Sequence, residues 1–180
     1  NQVVENIEKG LKPLKNKVNI IMEIGRYLTG PAGFFLTQVQ VIKESFGKKY
    51  LGVNACMSNL MRPGMYGSYH EINNITNITN ITDITNITNI TDITDDNETY
   101  QIVGNLCENN DWFGKDRILP RTKVGDVLVI KDVGAHGHSM GFQYNGKLRS
   151  AEYLMIGRKI ISIRRKETIK DYLSTVISFF

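Results

Sequence analysis

Apolar residues at Val3, Val4, Ile7 and Leu11 recur at helical spacing, and Gly10 and Pro13 then punctuate the chain, so a helix is predicted over residues 3–11. Residues 18–22 form a short, β-branched apolar run of the kind that makes a buried strand. A helix followed by a buried strand is one α/β unit, and one unit cannot build a parallel sheet by itself. Residues 1–33 therefore read as the end of a larger α/β domain. After Gly33 the period changes: Phe35, Thr37, Val39 and Val41 alternate onto one face. Further strands are expected at 50–53, 100–103, 126–130, 152–156 and 160–163, separated by Gly47, Pro63, Gly104, Pro120 and Gly157. Residues 34–180 are thus expected to be mostly β, a sandwich or barrel, with a short helix over 166–176.

One stretch breaks this pattern. From Asn74 to Thr94 the chain repeats Asn/Asp-Ile-Thr seven times and runs on into Asp95-Asp96. A period of three suits neither strand nor α-helix. A small solenoid with stacked isoleucines is conceivable. The simpler expectation is a low-complexity, disordered insertion over 73–98 with no catalytic role.

Composition changes little in this picture. The chain has 180 residues, is 41% hydrophobic and 22% charged, and carries a net charge of +4. Its basic residues are scattered, and the run Arg164-Arg165-Lys166 reads as a solvated strand end, so a nucleic-acid partner is not expected. No apolar run reaches the roughly 20 residues of a membrane span. Residues 1–10 lack a signal core, and the first residue is Asn. Cys56 and Cys107 lack a metal-type spacing, and a reducing compartment, the cytoplasm, is the expected location.

Four segments hold more chemistry than folding requires. Glu23-Ile24-Gly25-Arg26 follows the expected buried strand, with a Gly for close ligand approach and an Arg fork for phosphate or carboxylate. Arg62-Pro63-Gly64-Met65-Tyr66 leads into Tyr69-His70-Glu71, and its Arg and Tyr are spaced to converge on one carboxylate. Cys107-Glu108-Asn109-Asn110-Asp111 places a thiol beside a carboxylate, a candidate proton donor. In the run from Asp132 to Met140, small residues surround His136, suiting a flat ligand. His136 and His138 lack an evident third ligand, so no metal is expected. Each segment taken alone also has a plain structural reading, as a turn, a surface charge or a buried cysteine.

In this order and spacing the four segments resemble the diaminopimelate decarboxylase family, in which an alanine-racemase-like α/β barrel precedes a C-terminal β-barrel. The run Ile163 to Thr168, with Asp171-Tyr172, is similar to that family's C-terminus. The resemblance implies pyridoxal 5'-phosphate as cofactor, with Glu23, Gly25, Arg26 and His136 around it and Arg26 also reaching substrate. It implies that Arg62 and Tyr66 hold the substrate's distal carboxylate and Glu108 its distal ammonium. Cys107 would reprotonate the decarboxylated carbon. In the family this Cys-Glu pair reaches into the neighbouring subunit's site, implying a homodimer with shared active sites and a small diamino-diacid substrate.

Ornithine decarboxylase and its diamine-forming relatives need no Arg-Tyr clamp, which favours conversion of meso-diaminopimelate to lysine and CO2. Another basic amino-acid or carboxynorspermidine decarboxylase of the same fold is the alternative. A non-catalytic homologue that binds a partner is a second one. Ile24 stands at the family's usual Pro, and His136 stands where many members have a Tyr that touches the cofactor phosphate, which is either a subtype variant or a lost contact. None of the lysines here lies in the motif of the cofactor-binding Schiff-base Lys, so these residues alone are not expected to be active.

Overall fold

The computed structural model describes residues 2–14, 19, 21–76 and 96–177. Helix α1 (Gln2–Leu11) has Glu5 in its first turn and Lys9 in its last, the arrangement a helix dipole favours. A 3-10 turn, Lys12–Leu14, takes in Pro13. Of the strand expected over 18–22, residues 18 and 20 lie outside the described residues. Ile21 and Met22 belong to irregular chain, with Ile21 90% exposed. Helix α2 (Gly25–Thr29) and a 3-10 turn (Gly30–Ala32) then lead into the sheet.

Six strands form one sheet in the order β3-β6-β1-β2-β4-β5: β1 (Phe35–Ser45), β2 (Lys48–Val53), β3 (Ile72–Asn74), β4 (Asn97–Val103), β5 (Trp112–Pro120) and β6 (Val127–Ile130). All neighbours are antiparallel except β2 and β4. The sheet curls until its two edges meet. Arg117 on β5 lies 4.0 Å over the ring of Tyr69, just before β3, and Asn74 at the end of β3 donates to Thr122 Oγ1, just after β5. The result is a nearly closed barrel, one of the two architectures the alternation after Gly33 allows and the one the resemblance implies. Val39, Leu51, Leu60, Tyr100, Ile102, Phe113, Leu128 and Ile130 fill it.

Local chemistry explains where strand and pattern part. Phe35, Thr37 and Val39 do face inward, but Val41 is 53% exposed. Opposite Val53 and Gly52, β1 carries Gln40 as an extra residue, and such a bulge turns the strand away from the core. Strand β5 escaped the pattern because Lys115, Asp116 and Arg117 interrupt its apolar positions, and Asp116 has a positive φ of 49°. Strand β3 was hidden beside the repeat.

The ends of the expected insertion are strand residues. Asn73 and Asn74 lie in β3, and Asn97 and Glu98 lie in β4. The first repeat unit belongs to the barrel: Asn74 is buried and donates to Asp126 Oδ2 at 2.8 Å, Ile75 N donates to Val127 O, and Thr76 Oγ1 accepts from Val127 N at 2.7 Å. Residues 77–95 lie outside the described residues. Between the parallel strands β2 and β4, the chain also carries helix α3 (Arg62–Tyr66), so this long connection delivers both the repeat and candidate chemistry.

Strands β7 (Glu152–Ile156) and β8 (Lys159–Arg164) form where expected, but as a separate two-stranded ribbon. Tyr153, Ile156, Ile160 and Ile163 on this ribbon are exposed. The terminal helix, α4 (Ile169–Tyr172), is shorter than the 166–176 expected. Thr168 and Asp171 make a capping box that fixes its start, and Ser174, Thr175 and Val176 are weak helix formers.

Candidate active site

Helix α3 begins at Arg62, with Pro63 in its first turn, and ends where Gly67 takes a left-handed φ of 62°. Arg62 is buried, whereas Tyr66 is 62% exposed. The Arg62 guanidinium has two neutral acceptors: Nη1 donates to His70 Nε2 at 3.2 Å, and Nη2 donates to Ser68 Oγ at 3.0 Å. Among the described residues Arg62 makes no ion pair. Burial, and then the nearby positive charge of Arg26, push its pKa down, against Tyr66. An anion at this position would relieve both effects.

His70 is 1% exposed, and its Nδ1 lies 2.8 Å from the carbonyl oxygen of Lys131. Glu71 and Lys131 are doubly joined, through a 2.7 Å ion pair and the bond from Lys131 N to Glu71 O. The end of β6 thereby holds the segment that carries Arg62.

The second element of the site is the loop between β4 and β5. Its anchor is Asp111, 5% exposed, whose two carboxylate oxygens accept from Met57 N and Leu106 N, each at 2.6 Å. Asp111 N donates to Glu108 O, and Gly104 N donates to Asp111 O. Burial raises the Asp111 pKa, the two N–H donors and Lys147 oppose the rise, and Glu108 adds to it. Fixed this way, the loop presents Cys107 exposed and Glu108 half-buried. Asn145 Nδ2 approaches Cys107 Sγ at 3.6 Å. Helix α3 presses on the same loop so closely that a Cβ on Gly64 would sit 1.9 Å from the carbonyl oxygen of Asn110.

The chain that follows the first segment, from Thr29 to Gly33, packs on the fourth. Val133 N donates to Gly33 O and Gly134 N to Gly30 O, both at 3.0 Å, and a Cβ on Gly134 would meet Thr29 O at 2.0 Å. His136 follows with a positive φ of 61° and an exposed ring. Glu23, Gly25 and Arg26 are exposed, and Arg26 is tied to another segment through its field on Arg62. His138 turns to Arg149 Nη2, 2.8 Å from its Nδ1, and lies 3.8 Å from Glu152. Burial first, then the arginines, push its pKa down, while Glu152 opposes. Among the described residues no group of three His, Cys, Asp or Glu could hold a metal, and no helix is long and apolar enough to cross a membrane.

Among these contacts Gly64 with Asn110 joins two of the four segments directly, while the others join a segment to chain next to another: Val133 and Gly134 with Gly33 and Gly30, His70 with Lys131, and Cys107 with Asn145. Two buried members, His70 and Asp111, stand inside the segments singled out on sequence but had no role there. Their residue types were the only signal. Asn145 had none.

A mostly β barrel thus carries a buried arginine, without an ion pair among the described residues, beside a thiol-carboxylate loop. Residues 26–134, well over half of the chain, match the family described as pyridoxal-dependent decarboxylase, C-terminal sheet domain. The chain belongs to that family. Within it, the chain is 40% identical over 152 residues to a diaminopimelate decarboxylase of Methanothermobacter thermautotrophicus, covering 84% of this chain and 32% of that protein. It is 39% identical over 162 residues to Protein TabA of Pseudomonas amygdali pv. tabaci, covering 89% of this chain and 35% of that one. The crystal structure of diaminopimelate decarboxylase from M. jannaschii is similar with a TM-score of 0.78 and 36% identity, covering 98% of this chain and 38% of that chain. The chain thus spans about a third of the length of the curated relatives it matches.

Proposed function

We propose that the protein to which this chain belongs decarboxylates meso-diaminopimelate to lysine, using pyridoxal 5'-phosphate. The observation that carries this reading is Arg62, a buried cation with only neutral acceptors, beside Arg26. A buried charge of this kind is costly until an anion arrives. A substrate with a second carboxylate supplies that anion, and Tyr66 on the same helix adds a phenol to the clamp.

The residues present fit the cofactor. A Cβ on Gly25 would meet nothing within 4 Å, so the backbone there is open to close approach by a ligand. Arg26 and His136, both exposed, offer donors to a phosphate, and Glu23 is exposed as well. The bound cofactor supplies an electron sink for the pair left when CO2 departs. Arg62 and Tyr66 then hold the distal carboxylate, and Glu108 holds the distal ammonium. Cys107 carries a proton at Sγ and delivers it to the carbon from which CO2 has left, so that one C–C bond breaks and one C–H bond forms on the same carbon. Cys107 is exposed on its loop, which suits delivery into a second subunit's site, and we propose a homodimer on that ground. A free thiol in this role fits a reducing compartment, the cytoplasm.

The test is the substitution Arg62→Ala in the complete protein with its cofactor bound, assayed on diaminopimelate and on lysine. Loss of a charge-assisted clamp is expected to lower kcat/KM for diaminopimelate by about 100-fold and to leave any turnover of lysine nearly unchanged. Equal losses on both substrates would overturn the assignment.

A further inference from the structure

We propose that His70 is a positioning residue that sets specificity: it fixes the direction of the Arg62 fork while leaving the arginine's charge free for the second carboxylate of the substrate. This rests on the reading of Arg62 given above. The two contacts of His70 determine its state. A carbonyl oxygen only accepts, so the Nδ1 that faces Lys131 O at 2.8 Å carries the proton. A guanidinium only donates, so the Nε2 that faces Arg62 Nη1 at 3.2 Å carries a lone pair. Both contacts together require the neutral Nδ1–H form of the ring.

A carboxylate at this place would also hold the guanidinium, but it would neutralise it and compete with the substrate. A neutral imidazole orients without competing. Ser68 does the same for Nη2, so both terminal nitrogens are directed by uncharged partners. The anchor is rigid, because Lys131 closes the end of β6, where its N–H bonds Glu71 O next to the Ile72–Ile130 pair.

The charges around the ring act in both senses. Burial lowers its pKa first, and Arg62 and Arg117 lower it further. The Lys131 carbonyl bond and Asp132 oppose them. Lys131 itself is paired with Glu71. A proton added at Nε2 would break the bond to Arg62 and set two cations together. Clamping of the second carboxylate is therefore lost as the pH falls through the ring's lowered pKa, and it is intact above the ordinary histidine range near 6.5.

His70→Asn and His70→Gln separate the two contacts. The Asn amide can replace Nδ1 toward Lys131 but does not reach Arg62, whereas the Gln carbonyl can replace Nε2 toward Arg62. In the complete protein with its cofactor bound, His70→Asn is expected to raise KM for diaminopimelate by about 10-fold or more, with kcat and lysine turnover little changed. His70→Gln is expected to stay within about 3-fold of wild type and to flatten the rise in KM at low pH. A general loss on both substrates in both variants, or an Asn variant that behaves as wild type, overturns the proposal. Arg62→Ala run alongside shows whether the parent reading fails instead, since it then fails to discriminate between substrates. Two-bond proton–nitrogen NMR of His70 gives a readout apart from activity: neutral Nδ1–H is expected at neutral pH, and an Nε2–H or doubly protonated ring contradicts the latch.

Discussion

Arg62 and Asp111 are both buried, and burial drives each toward its neutral form, yet their surroundings answer differently. Asp111 receives two backbone N–H donors at 2.6 Å and is satisfied within the chain. Among the described residues the Arg62 side chain bonds only the neutral groups of His70 and Ser68. Asp111 is thus an anchor within the chain, and Arg62 is the proposed receptor for an anion. Replacing Asp111 by Asn turns one acceptor into a donor against an N–H, at a cost of about 1–3 kcal/mol. Urea unfolding should show that loss, and hydrogen exchange at Met57 and Leu106 should quicken. Unchanged exchange at both amides would mean that Asp111 does not hold the loop. Arg62, Tyr66, Cys107 and Glu108 stood out in the sequence by residue type and spacing, and the roles proposed for them come from the family resemblance. The roles of His70 and Asp111 were not legible there, because their decisive partners lie 61 and 54 positions away.

Between elements, the contacts that matter are backbone against backbone. Helix α3 reaches the Cys107 loop only because Gly64 has no side chain where Asn110 O already stands. Gly64→Ala must push the helix from the loop and is expected to cost about 1–3 kcal/mol. Gly10→Ala, on α1 with nothing within 4 Å of the added Cβ, is expected to be neutral or stabilising by about 0.5–1 kcal/mol. Midpoints of urea unfolding compare the two directly, and equal midpoints would refute the close approach. At this scale the sequence was read well where alternation was regular, as for β2 and the inward half of β1. It was read poorly where a bulge at Gln40, a polar centre in β5 or a neighbouring repeat masked the period. The first Asn-Ile-Thr unit illustrates the limit: nothing local distinguishes Asn74 from the asparagines that follow, but its side chain bonds Asp126 and Thr122 across the barrel.

For the molecule as a whole, the barrel and its long connections bring the Arg62 helix against the Cys107 loop, and Gly30 and Gly33 against Val133 and Gly134. The mostly β fold was readable from the alternation after Gly33, and the family from the order of the four segments. How they meet was not, since it depends on the closure of β3 against β5 and on the long parallel connection between β2 and β4. The ribbon of β7 and β8 leaves Tyr153, Ile156, Ile160 and Ile163 uncovered, an apolar surface of the kind that other parts of a protein or a second copy commonly bury. The proposed chemistry is a property of the complete protein, in which the uncompensated charge of Arg62 selects a substrate with two carboxylates. The most direct measurement is kcat/KM of that protein, cofactor bound, on meso-diaminopimelate and on lysine side by side. A preference for diaminopimelate of about 1,000-fold or more is expected, because lysine leaves the buried arginine unpaired. Comparable turnover of lysine would contradict the clamp and with it the proposed function.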